Sequence, residues 1–230
     1  MCAAFHNTEK RKLPLVRGPV IRREYGNVIS KITLSVWIAE EGLVRVAYFP
    51  GAVAEDEPSY AVSPEYVAPG AEIREYDEPG IHVIETRLLR IRVRTEEQKV
   101  DFYDIVTDEP LLTDESGFGR ESKDWTGDCR VWIRKHLQDT EHFFGLGDKP
   151  CALNLRGKYF SMWGADHYDF HEESDPLYKS IPFFLSLREG RAYGLLFDNT
   201  CRSYFDFGAT DETVLSFGSF GGLMNYYFIY

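Results

Sequence analysis

Apolar residues that alternate with polar ones, in one short stretch after another, constrain this chain more than any other feature. In "NVISKITLSVWI" the apolar Ile32, Leu34, Val36 and Ile38 are interleaved with Lys31, Thr33 and Ser35. Period two over this length places one set of side chains on a buried face and the other toward solvent, which is a half-buried strand. "GLVRVAYF" follows Glu40-Glu41-Gly42, so the two stretches read as a hairpin. In "RLLRIRVR", Leu89, Ile91 and Val93 alternate with Arg90, Arg92 and Arg94, and the arginines read as a solvated sheet face rather than an anion site. "KVDFYDIV", "CRVWIRKHL", "YKSIPFFLSL", "RAYGLLFD" and "SYFDFG" continue the series, with Arg188-Glu189-Gly190-Arg191 as a tight turn between two of them. No long segment repeats its apolar residues at three and four. The expected fold class is all-β, a β-sandwich.

A chain of 230 residues suits a single β domain of this kind. Residues 50–80, rich in proline and acids, read as loops with one short strand, and "DESGFGRESKDWTGDC" reads as a loose connection between the two halves of the sandwich. The segment "GGLMNYYFIY" breaks off within an apolar run, so either that strand is central or the sequence belongs to something larger. The expectation is the larger protein.

With 37 acidic against 26 basic residues the formal net charge is -11, which argues against a phosphate backbone or an anionic membrane as partner. A neutral ligand fits better. Aromatic residues make up 15% of the chain, enough to fill a core and still furnish a binding surface. Cys2, Cys129, Cys151 and Cys201 show no paired spacing and read as free buried thiols. No apolar run approaches the ~20 residues of a membrane span, and "MCAAFHNTEKRKLP" has no long apolar h-region. The compartment stays open, with a lean to the cytoplasm.

One stretch departs from the strand pattern: "WGADHYDFHEESDPLYKSIPFF", residues 163–184. Its first half is acidic and aromatic, and its second half, Ile181 to Leu187, reads as a core strand. His167 and His171 among these acids suggest a metal, but a zinc pair at that spacing sits on one helix face and no helical pattern is present. "DHYDFHEESDPL" also lacks the alternate ligands and the glycine of a calcium loop; no metal and no cofactor is expected. "FFGLGDKP" lacks the third glycine and the Lys-Ser/Thr ending of a phosphate loop, so Gly145 and Gly147 read as a turn that needs glycine dihedrals. No serine–histidine–aspartate set stands out. A neutral sugar asks for acceptors of its hydroxyl protons and for flat rings against its C–H faces. Asp166, between Trp163 and Tyr168, offers both chemistries; the alternative is a core Trp163 and an Asp166 that caps a turn.

The order of "FFGLGDK", "LRGKYFSMWGADHYDF" and "DPLYKSIPFFLSLREGRAYGLLFDNTCRSYFDFG" resembles the N-terminal region of glycoside hydrolase family 31, which holds α-glucosidases, α-xylosidases and relatives. "GLVRVAYFP" and "SFGSFGG…NYYFIY" match as well, while the stretch before Val28 matches poorly. The resemblance implies a galactose-mutarotase-like supersandwich over residues 28–230, preceded by an N-terminal extension at 1–27. It also implies a (β/α)8 barrel after residue 230 that carries the two catalytic aspartates of a retaining mechanism, so that no catalytic residue lies in this chain and the fragment alone is inactive. By motif position Asp166 is the loop aspartate that binds substrate hydroxyls at the barrel mouth, with His167 and Tyr168 as neighbouring contacts. Where the family often has Trp-Asn-Thr-Asp, this chain has Trp163-Gly164-Ala165-Asp166, which removes side-chain contacts just before the aspartate. The expected partners are a neutral α-linked oligosaccharide and the chain's own barrel. Two other readings stay open: a stand-alone carbohydrate-binding module, and a mutarotase-like sugar epimerase, for which no histidine–carboxylate pair can be chosen.

Overall fold

A computed structural model describes residues 19–50, 59–63, 65–122 and 129–230, and among them the backbone forms strands and turns with no helix. The first strands are β1 (Ile21–Asn27), β2 (Ile32–Glu40) and β3 (Leu43–Pro50). A meander follows: β4 (Arg74–Glu78), β5 (Ile81–Glu85), β6 (Leu89–Arg94), β7 (Lys99–Asp104) and β8 (Pro110–Leu112). Next come β9 (Asp114–Ser122), β10 (Cys129–His136), β11 (His142–Gly147) and β12 (Tyr159–Met162). Beyond a long loop lie β13 (Ser180–Arg188), β14 (Arg191–Phe197), β15 (Ser203–Phe207), β16 (Val214–Ser219) and β17 (Met224–Ile229).

These strands pair antiparallel into three sheets, in the orders β1-β2-β3-β17-β14-β13-β11, β12-β15-β16-β10-β9 and β4-β5-β6-β7-β8. The all-β sandwich expected from the alternation is what forms. β6 buries Leu89, Ile91 and Val93, and the arginines between them pair with Glu85, Glu78 and Asp101. Glu189 and Gly190 both take positive φ, at 51° and 80°, the dihedrals a two-residue hairpin turn between right-twisted strands demands. The apolar run at β17 is central, hydrogen-bonded to β3 on one side and β14 on the other.

Inward residues of all three sheets form one continuous hydrophobic cluster. Phe184 stands at a junction in it, edge-on to Phe143, Tyr193, Phe205 and Phe207. Such edge-to-face pairs add about 0.5–1.5 kcal/mol each beyond area burial. A polar device sits in this apolar setting. Lys135 of β10, fully buried, sets its Nζ 2.8 Å from Asp114 Oδ1 and donates to the Val100 carbonyl and the Tyr226 hydroxyl, both at 3.1 Å. It thereby ties β9 and β10 to β7 of one sheet and β17 of another.

Four expectations need correction. β2 is buried on both faces rather than one, because a second cluster of Trp37, Ala47 and Phe49, with Val20 and Leu223, covers its outer side. "DESGFGRES" is not a loose connection but strand β9, paired with β10 through a register shift between Arg134 and Lys135; residues 123–128 lie outside the described residues. β13 is a core strand on one face only: Phe184 and Ser186 are buried, whereas Ile181, Leu185 and Leu187 are exposed at 51%, 40% and 39%. Cys129, Cys151 and Cys201 are only partly buried, not core thiols, and Cys2 lies outside the described residues. Within residues 1–27, β1 is described and pairs along its whole length with β2, while residues 1–18 are outside the description.

Candidate functional site

The polar stretch leaves the sandwich as a loop whose base is built by β11, β12 and β13. β11 ends in an irregularity at Gly145-Leu146-Gly147, where φ is 134°, 66° and 82° in turn. A Cβ on Gly145 would stand 2.5 Å from the Phe183 carbonyl oxygen, and one on Gly147 would stand 2.4 Å from that of Lys179. Both positions therefore need glycine, for dihedral and for space. The irregularity passes the chain to Asp148, whose N–H donates to the Lys179 carbonyl, and then to Lys149.

Lys149 is the clasp. Its side chain is 2% exposed, its Nζ donates to Asp175 Oδ1 and, at 2.8 Å, to the Ser161 carbonyl, and it lies 5.3 Å over the Phe160 ring. The second Asp175 oxygen accepts the Ser161 N–H. An ammonium this deeply buried is costly unless paired and hydrogen-bonded, and here one carboxylate and one carbonyl answer it. Through Ser161 the strand that enters the loop is tied to Lys149 before it and to Asp175 on the returning segment.

Beyond the clasp the loop folds back on itself. The Ala165 N–H donates 3.1 Å to the carbonyl of buried Leu177, and the Glu173 N–H donates 2.9 Å to that of Pro150. The Tyr178 hydroxyl donates to the His167 carbonyl, and Phe170 meets Tyr178 edge-on at 6.5 Å. His171 N–H donates to Ser174 Oγ, while the Ser174 N–H returns a bond to the His171 carbonyl. Burial pushes the Cys151 thiol up, with Lys158 and Lys149 pulling the other way, so the thiol stays protonated beside the clasp.

The tip presents what the sequence singled out. Asp166 is exposed, and among the described residues no donor reaches its carboxylate. Tyr168 is 101% exposed, Trp163 is 49% exposed and His167 is partly buried. Trp163 is thus not a core residue, and Asp166 is not spent on a turn. Among the described residues no group of three or more His, Cys, Asp and Glu is placed to hold a metal ion. The arrangement offers an acceptor carboxylate and exposed rings on a loop whose ends are fixed, which suits a hydroxylated ligand.

Sequence reasoning missed Lys149 and Asp175. They lie 26 residues apart, and pairing at that separation leaves no local pattern. The one available signal was a lysine set directly after a glycine-forced irregularity and before a half-apolar stretch, where a solvated charge has no obvious place.

Comparison with known proteins gives a consistent picture. The model of the glycosyl hydrolase 31 N-terminal galactose mutarotase-like domain matches residues 33–206. α-Glucosidase 2 of Bacillus thermoamyloliquefaciens is 35% identical over 196 residues, which are 81% of this chain and 23% of that protein. An α-xylosidase of Lactiplantibacillus pentosus is 28% identical over 109 residues, 46% of this chain and 14% of that protein. Among solved structures, the family 31 dextranase of Flavobacterium johnsoniae complexed with isomaltotriose superposes with a TM-score of 0.79 at 30% identity, covering 92% of this chain and 25% of the dextranase. The chain therefore spans about a quarter of the length of the α-glucosidase and the dextranase, and its match to the α-xylosidase covers less of that protein.

Proposed function

The chain belongs to the glycosyl hydrolase 31 N-terminal galactose mutarotase-like domain family, and from that premise we propose that it is the substrate-shaping domain of a retaining glycoside hydrolase acting on α-glucosides. In this reading the bond-breaking carboxylates belong to a (β/α)8 barrel outside the 230 residues, and this domain lends recognition. The loop reaches the barrel mouth, where the Asp166 carboxylate accepts hydroxyl protons from the sugar and Trp163 and Tyr168 cover its C–H faces, with His167 beside them. The observation that carries this is the clasped loop: Lys149 and Asp175 fix its base, while its tip keeps an unspent carboxylate exposed.

The chemistry agrees with the charge. An ionised carboxylate is acceptor-only, so it suits a neutral ligand rich in O–H donors. Retaining hydrolysis needs two carboxyls about 5–5.5 Å apart across the scissile bond, and a loop that contributes a single aspartate to recognition complements such a pair without replacing it. The 35% identity to an α-glucosidase over 81% of the chain, against 28% to an α-xylosidase over 46%, favours α-glucosides as the substrate class.

The test is to assay the 230 residues alone and as part of the full-length parent on an aryl α-glucoside. The parent should turn over and the isolated domain should not. Turnover by the isolated domain would place catalytic groups in this chain and overturn the reading.

A further inference from the structure

A second feature lies away from the loop tip, on the outer face of the sheet β12-β15-β16-β10-β9. The strand "CRVWIRKHL" turns Arg130, Trp132 and Arg134 to that face, and Val131, Ile133 and Lys135 to the core. Trp132 lies across Gly119 of β9, where a Cβ would fall 2.2 Å from the indole. Beside it, Tyr159 of β12 and Tyr204 of β15 stack at 5.6 Å and 13°. The result is a groove of about 210 Å³ lined by the Trp132, Tyr159 and Tyr204 rings and by Arg130, Arg134 and Asp206.

The charges in the groove are only partly answered by protein groups. The Arg130 guanidinium stands 5.7 Å from the Trp132 ring, 5.2 Å from Tyr204 and 5.6 Å from Phe220, held by aromatic faces. Among the described residues no carboxylate pairs with it. Arg134, by contrast, is answered by Glu115 at 2.9 Å. Asp206 is only 5% exposed yet lines the groove; its Oδ1 accepts the Ala209 N–H at 2.7 Å and the Thr210 N–H at 3.3 Å, which leaves Oδ2 with acceptor capacity. Donors fixed in a plane, a carboxylate acceptor and flat rings within one small concavity are the groups that grip a polyhydroxylated ring. The acids beside Arg134 and Asp206 itself disfavour an anion.

We infer that this groove is a second carbohydrate-binding site, one that holds a single neutral glycosyl unit of a longer chain. Its volume lies below the ~300–1,000 Å³ of pockets that enclose drug-sized ligands, so one sugar ring is seated and the rest of the chain stays in solvent. Tyr159 opens β12, the edge strand that leads into the loop at Trp163, so a bound glycan is held on the same edge of the sheet from which the loop departs. The inference stands on the groove's own chemistry and does not require Asp166.

The test is to titrate the 230-residue chain with isomaltotriose and follow the indole N–H resonances by NMR, with inorganic phosphate as the anionic control. One indole resonance should shift saturably with the sugar and not with phosphate. Tyr159→Ala, at a half-exposed position on an edge strand, and Arg130→Met should each weaken binding about tenfold, with unfolding midpoints unchanged. Asp166→Ala should leave the groove's affinity as it was. The inference is overturned by no saturable shift, by a response to phosphate alone, or by binding that survives both groove variants. Binding lost only in Asp166→Ala would also overturn it, while supporting the loop's role in recognition.

Discussion

Lys149 and Asp175 meet at the base of the 163–175 loop, and the same pair captures both the N–H and the carbonyl of Ser161. A loop of about a dozen residues is thus held by a buried ion pair instead of by extended pairing to a sheet. Its tip can stay exposed while its ends are fixed, which is the condition a positioning loop must meet.

Removing the clasp should free the loop without unfolding the sandwich. Lys149→Met leaves Asp175 and the Ser161 carbonyl without their donor, a loss of about 1.5–3 kcal/mol for a charge-assisted bond. Hydrogen exchange at the amides of Ser161 and Ala165 should accelerate, while exchange at Phe205 in the core stays slow. Unchanged protection at Ser161 would mean that the loop is held by other contacts.

The Lys135–Asp114 pair makes the opposite prediction, a global one. Burial raises the Asp114 carboxyl above the ordinary carboxylate range, and the Lys135 ammonium draws it back. Lys135→Met would strand that carboxyl in a dry core, at a cost of about 3–5 kcal/mol, read as a lower midpoint in urea. The double variant with Asp114→Asn should recover part of the loss. A double variant no more stable than Lys135→Met would show that the lysine contributes by packing alone.

Acid stability should depend on Asp104. The Tyr230 hydroxyl, then the backbone and side chain of Thr107, lower its carboxyl from 3.8 to about 2, against some desolvation. A folded value below the unfolded one adds stability that is present above pH 4 and is lost as pH falls toward 2. In Asp104→Asn the stability profile should be flatter between those pH values than in the unmodified chain. An identical acid limb would remove Asp104 from the account.

The fold was legible where a side chain's fate is decided by its nearest neighbours in sequence. The alternation of Leu89, Ile91 and Val93 with three arginines identified β6, and Glu189-Gly190 identified a hairpin. What escaped depended on distant partners. Thr33 and Ser35 look solvated in sequence, yet both are buried on the strand face that carries Trp37, paired across to Phe49 and Ala47 of its cluster. β9 carries glycines and charges, and Gly119 is there to seat Trp132 from the next strand, a reason invisible in "ESGFGRES" itself. Ile181, Leu185 and Leu187 looked like core because apolar residues usually are, although they face outward. At the candidate site, Asp166 and its aromatic neighbours could be singled out from local chemistry, and the structure leaves Asp166, Trp163 and Tyr168 exposed, whereas the Lys149–Asp175 clasp at the loop's base left no local pattern.

The measurement that bears most directly on the central claim is the specificity constant of Asp166→Asn in the full-length parent, on a short α-linked oligosaccharide. Asp166 is exposed and touches no core group, so its replacement should leave the unfolding midpoint where it is. If its carboxylate accepts a substrate hydroxyl, kcat/KM should fall by about 10- to 150-fold, the loss of one charge-assisted bond. An unchanged kcat/KM with an intact fold would contradict the account and remove the loop from substrate recognition.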